Sequence, residues 1–151
     1  PVEVFEDVLK SDLLIATGNI EYHYFAGYSG GAKALMPGVC SRKSVSSNHS
    51  MMLEEKATAG IFAENPVRQD IEQAGKIANI GFIFNVILDD SKKIIGAVAG
   101  SNNNAFIEGI KLYDSIYETS IGSQPPLPIG TVVGCPAAGS GKTSVATKLS
   151  N

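Results

Sequence analysis

The chain has 151 residues, 44% of them apolar, which is typical of one domain with a buried core. Its formal charge is −3, with no basic block, and this argues against nucleic acid as a main partner. No apolar run approaches the roughly 20 residues that span a bilayer, and no signal segment opens the chain, so we expect a cytoplasmic protein without a membrane partner. Cys40 and Cys135 lie far apart with no CxxC spacing, which argues against a disulfide scaffold and a structural zinc site.

The first half of the chain predicts one strand followed by helices. Leu13 to Thr17 is a short apolar run between polar or glycine residues, which predicts a buried strand. Ala32 to Met36 is predicted to be helical, and Ser41 to Lys56 is predicted to form a longer helix with Ser41 as its N-cap. A further helix is expected to start near Asn65, with Pro66 in its first turn.

The second half changes from helical to strand periodicity and back. Phe82 to Leu88 and Lys93 to Val98 are rich in β-branched and apolar residues, and Asp89-Asp90-Ser91 between them is typical of a turn, which predicts a β-hairpin. Asn103 to Glu118 is predicted to be a helix, and we expect Asn102 to Asn104 to form a capping loop. The alternation of strands and helices indicates an α/β fold, with a mixed sheet and flanking helices.

Three prolines mark the best candidate for a domain boundary. The proline-rich stretch from Gly122 to Pro128 is predicted to be a linker, and Thr131 to Val133 a strand after it. The chain begins with Pro1 instead of methionine and ends at Asn151 within what resembles a secondary-structure element, so we expect a fragment. The expected organisation is a first domain in residues 1–121, a linker at 122–128 and the start of a truncated second domain at 129–151.

A glycine-rich loop in the last part of the chain is similar to a phosphate-binding P-loop. Gly134 to Thr143 reads GCPAAGSGKT and follows the predicted strand. Its first and last glycines are too far apart for the P-loop pattern, and Pro136 supplies no backbone amide for a phosphate. A plain strand-to-helix connection is the simpler interpretation, and a nucleotide-binding module built on Gly139 to Thr143 is kept as an alternative.

The loop HYFAGYSGGAK, from His23 to Lys33, combines several groups that can do chemistry. Gly30 and Gly31 precede a predicted helix, whose N-terminus favours an anion. Aromatic residues flank His23 and can exclude water from a proton-carrying imidazole. A short connection is expected to fold His49 back towards the same pocket. On local grounds alone, a glycine-rich turn with an exposed lysine and a packed or capping histidine is the commoner explanation of this pattern.

The longer stretch from Gly18 to His49, GNIEYHYFAGYSGGAKALMPGVCSRKSVSSNH, resembles the nickel-dependent lactate racemase family. Members of that family carry a block of the form GxIExHxFAGxSGGxKxxxPG followed by a spaced Asn-His pair. The spacings between His23, Lys33 and His49 are kept, and the resemblance continues through the hairpin to about Ile121. It implies that the chain is a central fragment of a two-domain racemase, with residues 1–121 forming the C-terminal part of its cofactor-binding domain.

The resemblance implies a role for each residue of the block. Lys33 is expected to be joined through a thioamide to a nickel-pincer nucleotide, a pyridinium mononucleotide that holds nickel through carbon and sulfur. Gly30 and Gly31 are expected to contact this cofactor, and His49 to complete the nickel coordination. His23 is expected to be one of two acid/base residues while a hydride passes from a 2-hydroxy acid to the cofactor and back. Other proteins are expected to make the cofactor.

Three departures from the family pattern accompany the resemblance. The second catalytic histidine and a phosphate-binding arginine of the family would lie before Pro1, so the chain alone is expected to be incomplete and inactive. Tyr22 stands where the family commonly has proline. Lys148 is the only candidate for the substrate lysine, and it lacks the preceding Tyr-Gln pair. A non-catalytic remnant of the fold without cofactor is therefore a second alternative.

Overall fold

The computed structural model describes residues 2–118. The predicted linker, the strand at 131–133, the Gly134–Thr143 loop, Cys135 and Lys148 lie outside the described residues. The four α-helices and five strands within them are α1 (Glu6–Leu9), β1 (Leu14–Asn19), β2 (Tyr22–His23), β3 (Gly27–Tyr28), α2 (Arg42–Ser50), α3 (Pro66–Ile77), β4 (Ile80–Leu88), β5 (Ile94–Gly100) and α4 (Asn102–Tyr117). Two short 3-10 helices, Gly31–Ala34 and Met51–Leu53, complete the order.

A three-stranded mixed sheet in the order β1-β4-β5 organises the fold. β1 runs parallel to β4, and β4 pairs with β5 in an antiparallel hairpin, so the predicted α/β class and the predicted hairpin are confirmed. The parallel pair requires a crossover connection, which contains the two small strands, the 3-10 helices, α2 and α3. The residues that follow β1 therefore leave the sheet at the carboxyl end of a strand.

One face of the sheet carries the hydrophobic core. Alternate residues of β4 face this side, and the side chains of Ile83 and Ile87 are fully buried. Phe106 and Tyr113 of α4 are buried in the same cluster. On the other face, side chains that are 39 to 55% exposed include Ile15, Phe82 and Phe84, so residues 2–118 leave this side of the sheet open.

Most predicted helices are present, and their ends follow capping chemistry. The hydroxyl of Ser41 accepts a hydrogen bond from the Ser44 amide at the start of α2, and the amide oxygen of Asn65 accepts one from Arg68 at the start of α3. The predicted N-cap Ser41 is therefore confirmed, as are the predicted helix start near Asn65 and Pro66 in the first turn.

Three boundaries predicted from the sequence are wrong. The helix expected over Ser41–Lys56 ends at Ser50, where the chain tightens into the Met51–Leu53 3-10 helix. The expected helix at Ala32–Met36 is a 3-10 helix that begins one residue earlier. Asn102 to Asn104 form the first turn of α4, with Ser101 preceding them, and are not a capping loop. Among the described residues, no helix is both long and apolar enough to span a membrane.

Candidate active site

The candidate site is built on the segment that leaves β1. After Asn19 the chain forms a two-stranded ribbon in which His23 pairs with Gly27. The amide of Ala26 donates a hydrogen bond to Nδ1 of His23 over 3.2 Å. Because Nδ1 is an acceptor in this arrangement, the proton of the neutral ring lies on Nε2. The imidazole is therefore held by its own loop in one tautomer and one orientation.

An aromatic cluster joins the two histidines of the sequence. His23 stacks on Tyr24 with 4.9 Å between centroids, and it meets the edge of Phe25 at 4.7 Å. Phe25, which is 6% exposed, also lies edge-on against His49 at 5.0 Å. His23 and His49 thus contact the same buried ring, although they come from different elements. The expected return of His49 towards the loop is confirmed.

Lys33 and His49 lie close enough to influence each other electrostatically. Lys33 is half-buried on the Gly31–Ala34 helix. Burial lowers the pKa of His49, and the positive charge of Lys33 lowers it further. The neutral imidazole therefore keeps a lone pair available at neutral pH, which is the form that coordinates a metal.

A buried asparagine holds the helix that carries His49. The side-chain amide of Asn48 donates to the Val67 carbonyl at 3.1 Å and to an Asp70 carboxylate oxygen at 2.8 Å. Both acceptors belong to α3, so this residue fixes α2 against α3. The side-chain oxygen of Asn48 is buried without a hydrogen-bond partner among the described residues. The Asn-His pair thus combines an anchoring residue with a half-buried imidazole.

Gly30 and Gly31 have a conformational role in the loop. Their φ angles are +83° and +59°, which favour glycine. The amide of Gly31 donates to the side-chain oxygen of Asn85 over 2.7 Å, and a Cβ on Gly31 would lie 2.9 Å from Arg68 and Phe106 atoms. The helix that follows has only four residues, so the expected anion site at a helix N-terminus has no support here. Cofactor contact by the two glycines stays a prediction.

Arg68 is an anchor that the residue pattern did not identify. Its side chain is fully buried, and its two terminal nitrogens donate to the carbonyls of Tyr28 at 3.0 Å and Gly30 at 3.1 Å. A Glu72 carboxylate oxygen forms an ion pair with the guanidinium at 2.6 Å, and the guanidinium lies over the Phe106 ring at 4.1 Å. Burial lowers the pKa of Arg68, and Glu72 opposes that effect. The sequence did contain a signal for a buried ion pair, because this arginine lies on the apolar face of a predicted helix, four residues before a glutamate.

Asp114 of α4 ties the histidine-bearing ribbon to the core. Its carboxylate accepts hydrogen bonds from the hydroxyls of Tyr22 at 3.0 Å and Tyr28 at 2.9 Å. Burial raises the pKa of both tyrosines, and the negative charge of Asp114 and hydrogen bonding to its carboxylate raise it further. Tyr22, which departs from the family pattern, therefore makes a specific contact next to His23.

The described residues contain no group of three or more histidine, cysteine or acidic side chains that could hold a metal ion by themselves. Cys40 is a free thiol whose sulfur donates weakly to the Leu35 carbonyl. Burial, followed by the charge of Asp70, raises the pKa of that thiol and so disfavours a thiolate ligand. His49 is therefore not part of such a group within residues 2–118, and a metal bound to it would need further donors.

These features define an α/β protein with a histidine–lysine–histidine site beyond the carboxyl end of a parallel strand. A family model described as the lactate racemase N-terminal domain matches residues 1–60. The lactate racemase of Thermoanaerobacterium thermosaccharolyticum is 38% identical over 117 residues, which are 76% of this chain and 28% of that protein. The lactate racemase of Lactiplantibacillus plantarum is 45% identical over 93 residues, which are 60% of this chain and 22% of that protein.

Solved structures agree with this similarity. The lactate racemase apoprotein from T. thermosaccharolyticum matches with a TM-score of 0.72 at 38% identity, over 74% of this chain and 27% of that one. A Thermotoga maritima protein shares the fold, with a TM-score of 0.59 at 20% identity, over 77% of this chain and 30% of that one. The chain belongs to the lactate racemase family. It spans about a quarter of the length of the curated relatives that it matches.

Proposed function

We propose that this chain carries the cofactor-binding and metal-binding part of a 2-hydroxy-acid racemase or epimerase, with lactate or a similar acid as substrate. In this proposal Lys33 is the attachment residue of a nickel-pincer nucleotide, His49 is the protein ligand of nickel, and His23 is an acid/base residue. The observation that carries the proposal is the convergence of the three residues, because Phe25 contacts both histidines and Lys33 acts on the pKa of His49. The names of the relatives support the substrate class.

The residues present fit a cofactor that brings its own metal ligands. A metal held by protein side chains alone needs several donors, whereas residues 2–118 contain no such cluster. A tethered group that carries metal donors of its own would need from the protein an amine for attachment and a further donor, and Lys33 and neutral His49 would supply these. The lowered pKa of His49 keeps its nitrogen unprotonated for this purpose.

The chain's own residues would position the substrate and move its proton. When bound, the nickel-pincer group supplies an acceptor for the hydride of the substrate's α-carbon. His23, with its Nδ1 bound to the Ala26 amide, presents Nε2 for exchange with the substrate hydroxyl. Tyr24 stacks on this imidazole and Phe25 meets it at nearly a right angle, and the two rings limit its contact with water. Racemisation also needs a base on the opposite face of the substrate, which His23 alone cannot provide.

Nickel content tests the assignment of Lys33 as the attachment residue and of His49 as the nickel ligand. The full chain would be co-expressed with the proteins that make the cofactor, and metal would be measured in the wild type and in Lys33→Ala, His49→Ala and Lys43→Ala. Lys43 is an exposed lysine of α2 that pairs with Glu3, so it controls for the loss of a positive charge. We expect nickel in the wild type and in Lys43→Ala only. Nickel at the wild-type level in Lys33→Ala would overturn the assignment, and no nickel in any variant would favour a non-catalytic remnant.

A further inference from the structure

The short helix that carries Lys33 starts between two fully buried polar side chains from different elements. Asn85 of β4 accepts the Gly31 amide at 2.7 Å, and Arg68 of α3 donates to the Gly30 carbonyl at 3.1 Å. Neither side chain is exposed to solvent. The same Gly30 carbonyl also accepts the backbone amide of Lys33 over 3.3 Å. One carbonyl therefore joins the arginine directly to the backbone of the lysine.

Arg68 also controls the preceding part of the loop. Its other terminal nitrogen binds the Tyr28 carbonyl, while Asn65, one turn earlier on the same helix, donates to the Phe25 carbonyl at 2.9 Å. The first turn of α3 thus holds three carbonyls of the segment between the two proposed functional residues His23 and Lys33. The planar guanidinium can bind two carbonyls at a fixed separation, which the single ammonium of a lysine cannot do.

We propose that Arg68 and Asn85 are positioning residues that place the Lys33 amine for attachment of the cofactor. In that step the deprotonated amine would attack the carbon of a thiocarboxylic acid group on the cofactor, the C–N bond of the thioamide would form, a C–O bond would break, and water would leave, without any change of oxidation state. This inference rests on the proposed function. Both side chains touch the backbone that carries Lys33 and act on the reaction through it. A displacement of about 1 Å at a reacting group can cost roughly 100-fold in rate. We therefore expect a variant that lacks either anchor to attach the cofactor more slowly than a control variant with the same loss in the free energy of unfolding.

The test compares each anchor with a control in the same element. Arg68→Lys is paired with Ile71→Ala, a buried residue one turn later in α3, and Asn85→Ala is paired with Ile87→Ala on the same face of β4. For each purified full chain, the initial rate of adduct formation at Lys33 would be followed by intact mass as cofactor concentration varies. Denaturant unfolding gives the free energy of unfolding of each variant, so that anchor and control variants of similar stability can be compared. Hydrogen exchange at the Lys33 amide reports on the start of its helix without cofactor.

We expect the maximal attachment rate to fall about 100-fold in Arg68→Lys and Asn85→Ala, with an unchanged half-saturating cofactor concentration and faster exchange at the Lys33 amide. Ile71→Ala and Ile87→Ala should attach the cofactor at the wild-type rate, even where they lose as much stability as the anchor variants. Attachment at the wild-type rate in both anchor variants would overturn the positioning role and leave the proposed function intact. Failure of the wild type to load would defeat the proposed function itself. If Arg68→Lys does not fold, Asn85→Ala decides, and failure of both to fold would overturn the proposal.

Discussion

The ring of Phe25 lies edge-on against the imidazole of His49, with 5.0 Å between centroids and 72° between planes. Phe25 belongs to the loop after β1, whereas His49 lies on α2 beyond the lysine-bearing helix. This contact brings the second histidine of the sequence to the loop that holds the first. It is the structural basis for treating His23, Lys33 and His49 as one site.

Phe25→Leu should loosen the two histidines while the fold is kept. The variant removes three edge-on ring contacts at once, to His23, Tyr24 and His49, and we expect a loss of about 1 to 2 kcal/mol in the free energy of unfolding. Nickel retention after co-expression should fall because His49 loses its packing partner. Tyr117→Leu, which removes a ring contact to Tyr113 at 4.7 Å, is the control and should retain nickel. Equal nickel loss in both variants would mean that general loosening is responsible.

Lys33→Met should raise the pKa of His49 in the chain without cofactor. The charge of Lys33 is the second cause of its lowered pKa, so removing that charge moves the value back towards 6.5, while burial still keeps it lower. A proton NMR titration of the two histidines measures this, with His23→Gln providing the assignment. Lys43→Met should leave the pKa of His49 unchanged. An unchanged pKa in Lys33→Met would show that the two side chains do not interact.

The same lowered pKa predicts how stability depends on pH. Unfolded His49 binds a proton near pH 6.5, whereas the folded residue binds it only at lower pH. The unfolded state therefore holds more protons in that window, and the His49 contribution to stability falls as pH drops through it. Denaturant unfolding of wild type and His49→Gln between pH 7.5 and 5 would test this. The variant should lose less stability over that range, and parallel curves would contradict the prediction.

Gly31→Ala should destabilise the chain, because φ is +59° and the new Cβ would lie 2.9 Å from atoms of both Arg68 and Phe106. We expect a cost of about 1 to 3 kcal/mol in the free energy of unfolding, together with slower attachment at Lys33. Gly18→Ala is the matched control, since its Cβ would meet atoms no closer than 3.5 Å. Chemical denaturation of the two variants gives the comparison. A Gly31→Ala variant as stable as Gly18→Ala would disprove the conformational role.

Tyr28→Phe should weaken the tie between the histidine ribbon and α4. Its hydroxyl donates to Asp114 and lies 3.2 Å from the Gly60 carbonyl, so we expect a loss of about 1 to 2 kcal/mol, measured by thermal or denaturant unfolding. Tyr22→Phe, which loses one contact to Asp114, should cost less. The double variant should cost less than the sum, because the two hydroxyls share one carboxylate. Strict additivity would contradict that coupling.

Local sequence chemistry was enough to predict most of the fold. Ser41, Asn65 and Pro66 are capping residues whose preferences are local, and the hairpin follows from two apolar runs around a polar turn. The loop motif indicated His23, Lys33 and His49 because their residue types carry chemistry. Their closeness, however, depends on Phe25 and on α2 packing against α3, which no local pattern encodes.

The anchors of the site were harder to predict. Arg68, Asn85 and Asp114 act through contacts with residues at least 38 positions away in sequence, so their partners appear only in the folded chain. Asn85 is a polar residue in an otherwise apolar strand, whereas Arg68 and Asp114 lie in helices that carry other polar and charged residues. Neither setting says what the side chain binds. The termination of α2 at Ser50 was missed because residues after it continue with good helix formers.

The central claim is tested most directly by the mass of Lys33. The full chain, produced together with the cofactor-making proteins, would be analysed by intact mass, and its peptides by tandem mass spectrometry. The account predicts a nucleotide-sized covalent adduct on the peptide containing Lys33, with fragment ions that assign it to that side chain, and stoichiometric nickel. An unmodified Lys33, under conditions that load an authentic lactate racemase in parallel, would contradict it.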